Sequence, residues 1–181
     1  NQIRELATQV PEGLVLRLDT NGDLNDVSGF GHGVVSNPGT LVAGRRGVAN
    51  TAYRVVGPTQ AQISHAPELM QQADISWPFW MKSPDMTNIN AQIIGKYVPT
   101  PNSGWVIKYD PISFAHGWTV GTAGTGADGK SHPVPSNNVW NHYAFVRSGA
   151  GWLVYINGVN FTSASGGNGT AIIPNTVNLS I

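Results

Sequence analysis

The side chains of Asp19, Asn21, Asp23 and Asp26 place hard oxygen atoms at close spacing in one polar stretch, Asp19-Thr20-Asn21-Gly22-Asp23-Leu24-Asn25-Asp26. Ca2+ takes such oxygens, about six to eight at a time. The opening spacing, D-x-N-x-D, is that of an EF-hand loop, but Leu24 and Phe30 stand where that loop needs Gly and Glu. An EF-hand is therefore excluded. Two readings stay open. The loop is a Ca2+ site of Asp19, Asn21, Asp23 and Asp26, or it is an Asx-rich turn whose side chains bond their own backbone. The second is the default.

Other chemistries lack their residues. Glycoside hydrolysis uses two carboxylates about 5–9.5 Å apart. Glu68 is the only glutamate beyond residue 12, and no strand-like stretch carries two carboxylates at i, i+2. His32, His65, His116, His132 and His142 show neither H-x-H nor H-E-x-x-H spacing, and there is no cysteine to complete a zinc site. No G-x-S-x-G occurs. The glycine-rich run 121–130 lacks a Ser or Thr after the usual lysine and has no helical pattern behind it, so it is no phosphate loop.

Aromatic faces can stack on the C–H faces of sugars. Of Trp77, Trp80, Trp105, Trp118, Trp140 and Trp152, the best placed are Trp105 and Trp118, each near a strand end beside a polar loop. Asn102, Asp128, Lys130 and His132 are loop polar groups suited to sugar hydroxyls. The ligand candidates are thus Trp105, Trp118, Asn102, Asp128 and His132, although the sequence does not gather them on one rim. Burial is the default for a sandwich tryptophan. Trp77 and Trp140 are assigned to the core. Trp80 has the opposite phase to Trp77, so it is exposed or lies against a neighbouring subunit.

The elements that position these residues read as strands. Gly13–Asp19 alternates Leu14, Leu16 and Leu18 with Val15 and Arg17. Further strands are expected at 33–35, 51–56, 73–82, 91–98, 104–109, 113–120 and 176–181, with a helical turn at 68–72. Pro78 lies inside the strand 73–82; lacking an N–H, it marks an edge or a bulge. Residues 121–138 read as an exposed loop. Trp140–Arg147 and Trp152–Ile156 flank a glycine-rich link, a hairpin signal, and Asn157-Gly158 favours another tight turn. Residues 1–12 have weak helical spacing ended by Pro11 and are expected to be a linker or docking arm. The chain stops at Ile181 within a strand pattern, so residues 13–181 are expected to form a sandwich lacking its last strands.

Many short elements punctuated by 22 Gly and 12 Pro point to an all-β sandwich or barrel. Charged residues are 11%, against about 25% in typical soluble domains, and the formal net charge is zero. Nothing in this balance attracts nucleic acid or an anionic membrane surface. No apolar run approaches the roughly 20 residues that cross a bilayer as a helix.

Several segments, in order, resemble the laminin-G-like domains of the concanavalin A-like lectin/glucanase superfamily. They are LVLRLDTNGDLNDVSGFGHG (14–33), GRRGVANTAYRVVG (44–57), DISWPFWMK (74–82), QIIGKY (92–97), GWVIKY (104–109) and the hairpin WNHYAFVRSGAGWLVYING (140–158). Tyr53 and Val56 depart from the family's usual residues. The resemblance implies an antiparallel jelly-roll β-sandwich. The glucanase members' E-x-D-x-x-E string is absent, so a non-catalytic module is expected, binding carbohydrate or a cell-surface ligand within a larger extracellular, cell-surface or virion protein. The alternative is a structural decoration or fibre domain whose partners are neighbouring subunits. Neither involves nucleic acid or membrane insertion.

Overall fold

Strand content follows the period-two alternation of the sequence in most places. The structure is a computed structural model, and it describes residues 12–36, 39–56, 60–71, 74–85, 91–99, 103–110, 117–122, 126–131, 135–148, 151–161 and 172–181. The chain divides into two units, Asn1–Leu69 and Met70–Ile181.

In the first unit, β1 (Val34–Ser36), β2 (Thr40–Val42), β3 (Ala52–Arg54) and β4 (Gln62–Ile63) are short. β1 pairs antiparallel with β4, Val34 opposite Ile63, and β2 with β3, Leu41 opposite Tyr53. A 3-10 turn, Pro67–Leu69, stands where the helical turn was expected. The expected strand Gly13–Asp19 joins no ladder; an isolated bridge, Leu18 to Asp26, is its only pairing among the described residues. Side chains have taken the ladder's place. Asp26 accepts the Arg17 amide, and the Val15 carbonyl accepts the His32 ring nitrogen.

The second unit continues with β5 (Ile75–Met81), β6 (Ala91–Val98), β7 (Ser103–Asp110), β8 (Gly117–Thr122), β9 (Gly126–Ser131), β10 (Asn141–Ser148), β11 (Gly151–Ile156), β12 (Val159–Asn160) and β13 (Leu179–Ser180). One sheet runs β13-β6-β7-β8-β9 and another β12-β11-β10-β5, antiparallel throughout. Pro78 is accounted for, because β5 is the end strand of its sheet. β9 corrects the expected loop over 121–138: its glycines and polar residues give no apolar period, yet its backbone pairs fully with β8.

Trp77 of β5 meets Trp105 of β7 with ring centroids 4.4 Å apart, so the two sheets face each other. Tyr143 and Phe145 are fully buried between them, and Phe79 stacks on both rings at 5.5 and 5.9 Å. The inward phase of β10 is therefore Asn141, Tyr143, Phe145 and Arg147. The other phase, with His142, Ala144 and Val146, points outward, and Trp140 is half-buried rather than in the core.

The β6–β7 end is tied by side chains. Lys96, directly opposite Trp105 in register, is 0% exposed and donates to the Val177 carbonyl. Asn175 Nδ2 donates to the Lys96 and Ser103 carbonyls, each at 3.1 Å. Gly104 donates its amide to Ile173 at 2.8 Å.

Candidate functional site

Antiparallel register decides which candidates share a face, since side chains of directly opposed residues lie on the same side. Tyr109 lies opposite Trp118, and Trp118 lies opposite Lys130; Ile107 lies opposite Val120, and Val120 opposite Asp128. Trp105, two residues before Ile107, has the same phase. Trp105, Trp118, Asp128 and Lys130 thus belong to one face of β7-β8-β9. That face begins in the core and runs out to the end strand β9.

Position along this face separates the two tryptophans. Trp105 is 2% exposed with its ring against Trp77, and among the described residues its indole N–H has no hydrogen-bond partner. It is a core residue and offers no face to a ligand, which corrects the expectation from sequence. Proximity to a polar loop was a poor guide, because the loop's neighbour Ser103 is itself buried. Asn102 and His132 lie outside the described residues. Their neighbours Ser103 and Ser131 mark opposite ends of the β7-β8-β9 layer, since Ser131 is in register with Gly117 and Gly117 with Asp110.

The acidic loop of the first unit is satisfied from within. Asp26 Oδ1 accepts the amides of Arg17 at 3.0 Å and Ser28 at 2.8 Å; Oδ2 accepts the Ser28 hydroxyl at 2.8 Å and the His32 amide at 3.0 Å. Asp23 binds the amide and the side chain of Asn25, and Asp19 accepts the Arg17 Nε at 2.7 Å. Among the described residues no group of three or more His, Cys, Asp or Glu side chains is placed to hold a metal ion. Asp23 and Asp26 bond their own loop as an Asx-rich turn does, and the Ca2+ reading of Asp19, Asn21, Asp23 and Asp26 stays an expectation from sequence.

Burial pushes the Asp26 carboxyl up, but hydrogen bonds from the Arg17, His32 and Ser28 amides and the Ser28 hydroxyl outweigh it, and the net pKa lies below the ordinary 3.8. Its stabilisation is therefore fully present above the unfolded value and is lost as pH falls through the lowered one. Asp26→Ala is expected to cost about 2 kcal/mol at pH 7. Urea unfolding at pH 7 and pH 3 checks this; a cost that does not shrink at the lower pH would refute it.

The relatives are consistent with the architecture. A laminin-G-type family model, described as the concanavalin A-like lectin/glucanases superfamily, matches residues 57–181. The chain belongs to that superfamily. A comparison with curated proteins finds no match. Among solved structures, this laminin-G-like chain is similar to domain 4 of AbnA, a GH43 extracellular arabinanase from Geobacillus stearothermophilus, in complex with arabinotriose. The TM-score is 0.63 at 20% identity, covering 89% of this chain and 78% of that one. At that identity the likeness speaks for the fold. Among the described residues no helix is long and apolar enough to cross a membrane.

Proposed function

We propose that the chain is a non-catalytic carbohydrate-recognition module whose sugar lies on the β7-β8-β9 face, near its outer end. The observation that carries this is the register that puts Trp118, Lys130 and Asp128 on one side of a paired hairpin. In this reading the indole of Trp118 stacks on the sugar ring, and Asp128 and Lys130 bond its hydroxyls. Superfamily membership and a structural neighbour bound to arabinotriose support a glycan ligand. Among the described residues of β6, β7, β8 and β9, Asp128 is the only carboxylate in this phase, and glycoside hydrolysis uses two. An extracellular setting fits, since that neighbour belongs to an extracellular enzyme.

Titration calorimetry with arabinotriose and a panel of other neutral oligosaccharides tests the proposal. Trp118→Ala is expected to weaken binding at least about tenfold while the thermal midpoint moves little. Affinity unchanged by that substitution, or no binding across the panel, would overturn it. The latter result would favour a structural module. Release of reducing ends would instead point to an enzyme.

A further inference from the structure

A second aromatic surface lies on the outer side of the other sheet. Ser76, Pro78 and Trp80 of β5 point away from the core, as do His142, Ala144 and Val146 of β10 and Leu153 and Tyr155 of β11. His142 is directly opposite Trp80, and their ring centroids lie 5.1 Å apart at 51°. Trp80, on the end strand, remains 45% exposed, a large apolar side chain left facing solvent. One step along, the Lys82 ammonium sits 5.6 Å from the centroid of the Trp140 ring. Ala144, between Pro78 and Tyr155 in register, keeps the surface low beside this cluster.

The cluster is held in place. Asn157 Oδ1 accepts the His142 amide and Asn157 Nδ2 donates to Asn141 Oδ1, each at 2.9 Å. Lys82 is exposed, and among the described residues no carboxylate is paired with it. A cation held on a half-buried aromatic ring, beside the exposed indole of Trp80, complements a ring-shaped ligand that carries an anion. A protein strand is a poor occupant, because Pro78 interrupts the open edge of β5 and lacks the N–H that strand addition needs.

We propose that Trp80, His142, Trp140 and Lys82 form a second site, for a glycan carrying a carboxylate, a uronic acid unit being the simplest case. Trp80 and His142 take the sugar's apolar face, and Lys82 takes the carboxylate. This site is separate from the β7-β8-β9 face and does not depend on it.

Trigalacturonate and the neutral trisaccharide of galactose are the probes, titrated by calorimetry at low and high salt. The acidic probe is expected to bind about three- to fivefold more tightly at low salt, with the preference fading as salt rises. Trp80→Ala should weaken both probes at least about tenfold. Lys82→Met should erase the preference, and Lys82→Arg should keep it. Both residues are exposed, so the thermal midpoint should hold within a few degrees. Equal binding of the two probes, affinity unmoved by Trp80→Ala, or no saturation by either probe overturns the proposal. Binding that survives Trp80→Ala but disappears in Trp118→Ala belongs to the other face and also overturns it.

Discussion

Replacing Gly104 by alanine is expected to cost at least about 3 kcal/mol of stability, enough to threaten folding of a marginal domain. Gly104 has φ +89, a conformation that L side chains rarely adopt. A Cβ there would overlap the Lys96 carbonyl oxygen and the Asn175 carboxamide, and would stand 2.8 Å from the Lys96 carbonyl carbon. Lys96 and Asn175 are the tie that closes the β6–β7 end, so the chain cannot give way without breaking its own hydrogen bonds. Gly158→Ala is the control. Its φ is +80, but nothing lies within 4 Å of an added Cβ. It should cost only about 1–2 kcal/mol, the conformational part alone. Urea unfolding of the two variants separates collision from backbone strain; equal costs would refute the collision argument.

Lys96→Met is expected to stabilise the protein at neutral pH by about 1–2 kcal/mol and to flatten its alkaline pH profile. Burial lowers the Lys96 pKa from 10.5 to about 8. The unfolded chain therefore holds this proton over a range in which the folded chain has released it. By linkage, wild-type stability should rise from about pH 8 to about pH 10.5. Below pH 8 the folded state carries the buried charge, a penalty of about 3 kcal/mol for a shift of this size. Loss of the bond to the Val177 carbonyl offsets about 1 kcal/mol of the gain. Unfolding midpoints at pH 7 and pH 10 for both proteins give the difference directly, since other titrating groups cancel. Parallel profiles would refute the assignment.

Where one phase of a strand is clearly the apolar one, the sequence reveals both the element and its face. β5 is such a case, with Ile75, Trp77, Phe79 and Met81 inward and Pro78 marking an open edge. β10 is harder. Trp140 and His142 compete with Tyr143 and Phe145, and the choice falls to Tyr143 and Phe145 only because Phe79 and Trp77 stand opposite them. β9 was illegible because backbone pairing needs no apolar residue, and Gly126–Ser131 supplies none. For the candidate site, register adds what the sequence could not. Trp118 and Asp128 are brought to one face, but Trp105 shares that face at a depth that its own neighbours in sequence do not reveal. Lys96 is a charged residue that the structure buries, in register opposite Trp105.

The turn after β11 has a consequence for chemical ageing. In an Asn-Gly pair the following backbone nitrogen attacks the carboxamide carbon with unusual ease, expelling ammonia and closing a succinimide that water then opens to aspartate or isoaspartate. Asn157 precedes Gly158, yet its carboxamide is engaged at both ends, by the His142 amide and by Asn141. Those bonds hold the reactive carbon in one orientation while the turn keeps its φ of 52°. The contacts that fix the His142 backbone beside Trp80 thus also hinder slow covalent damage at the hairpin's closing turn.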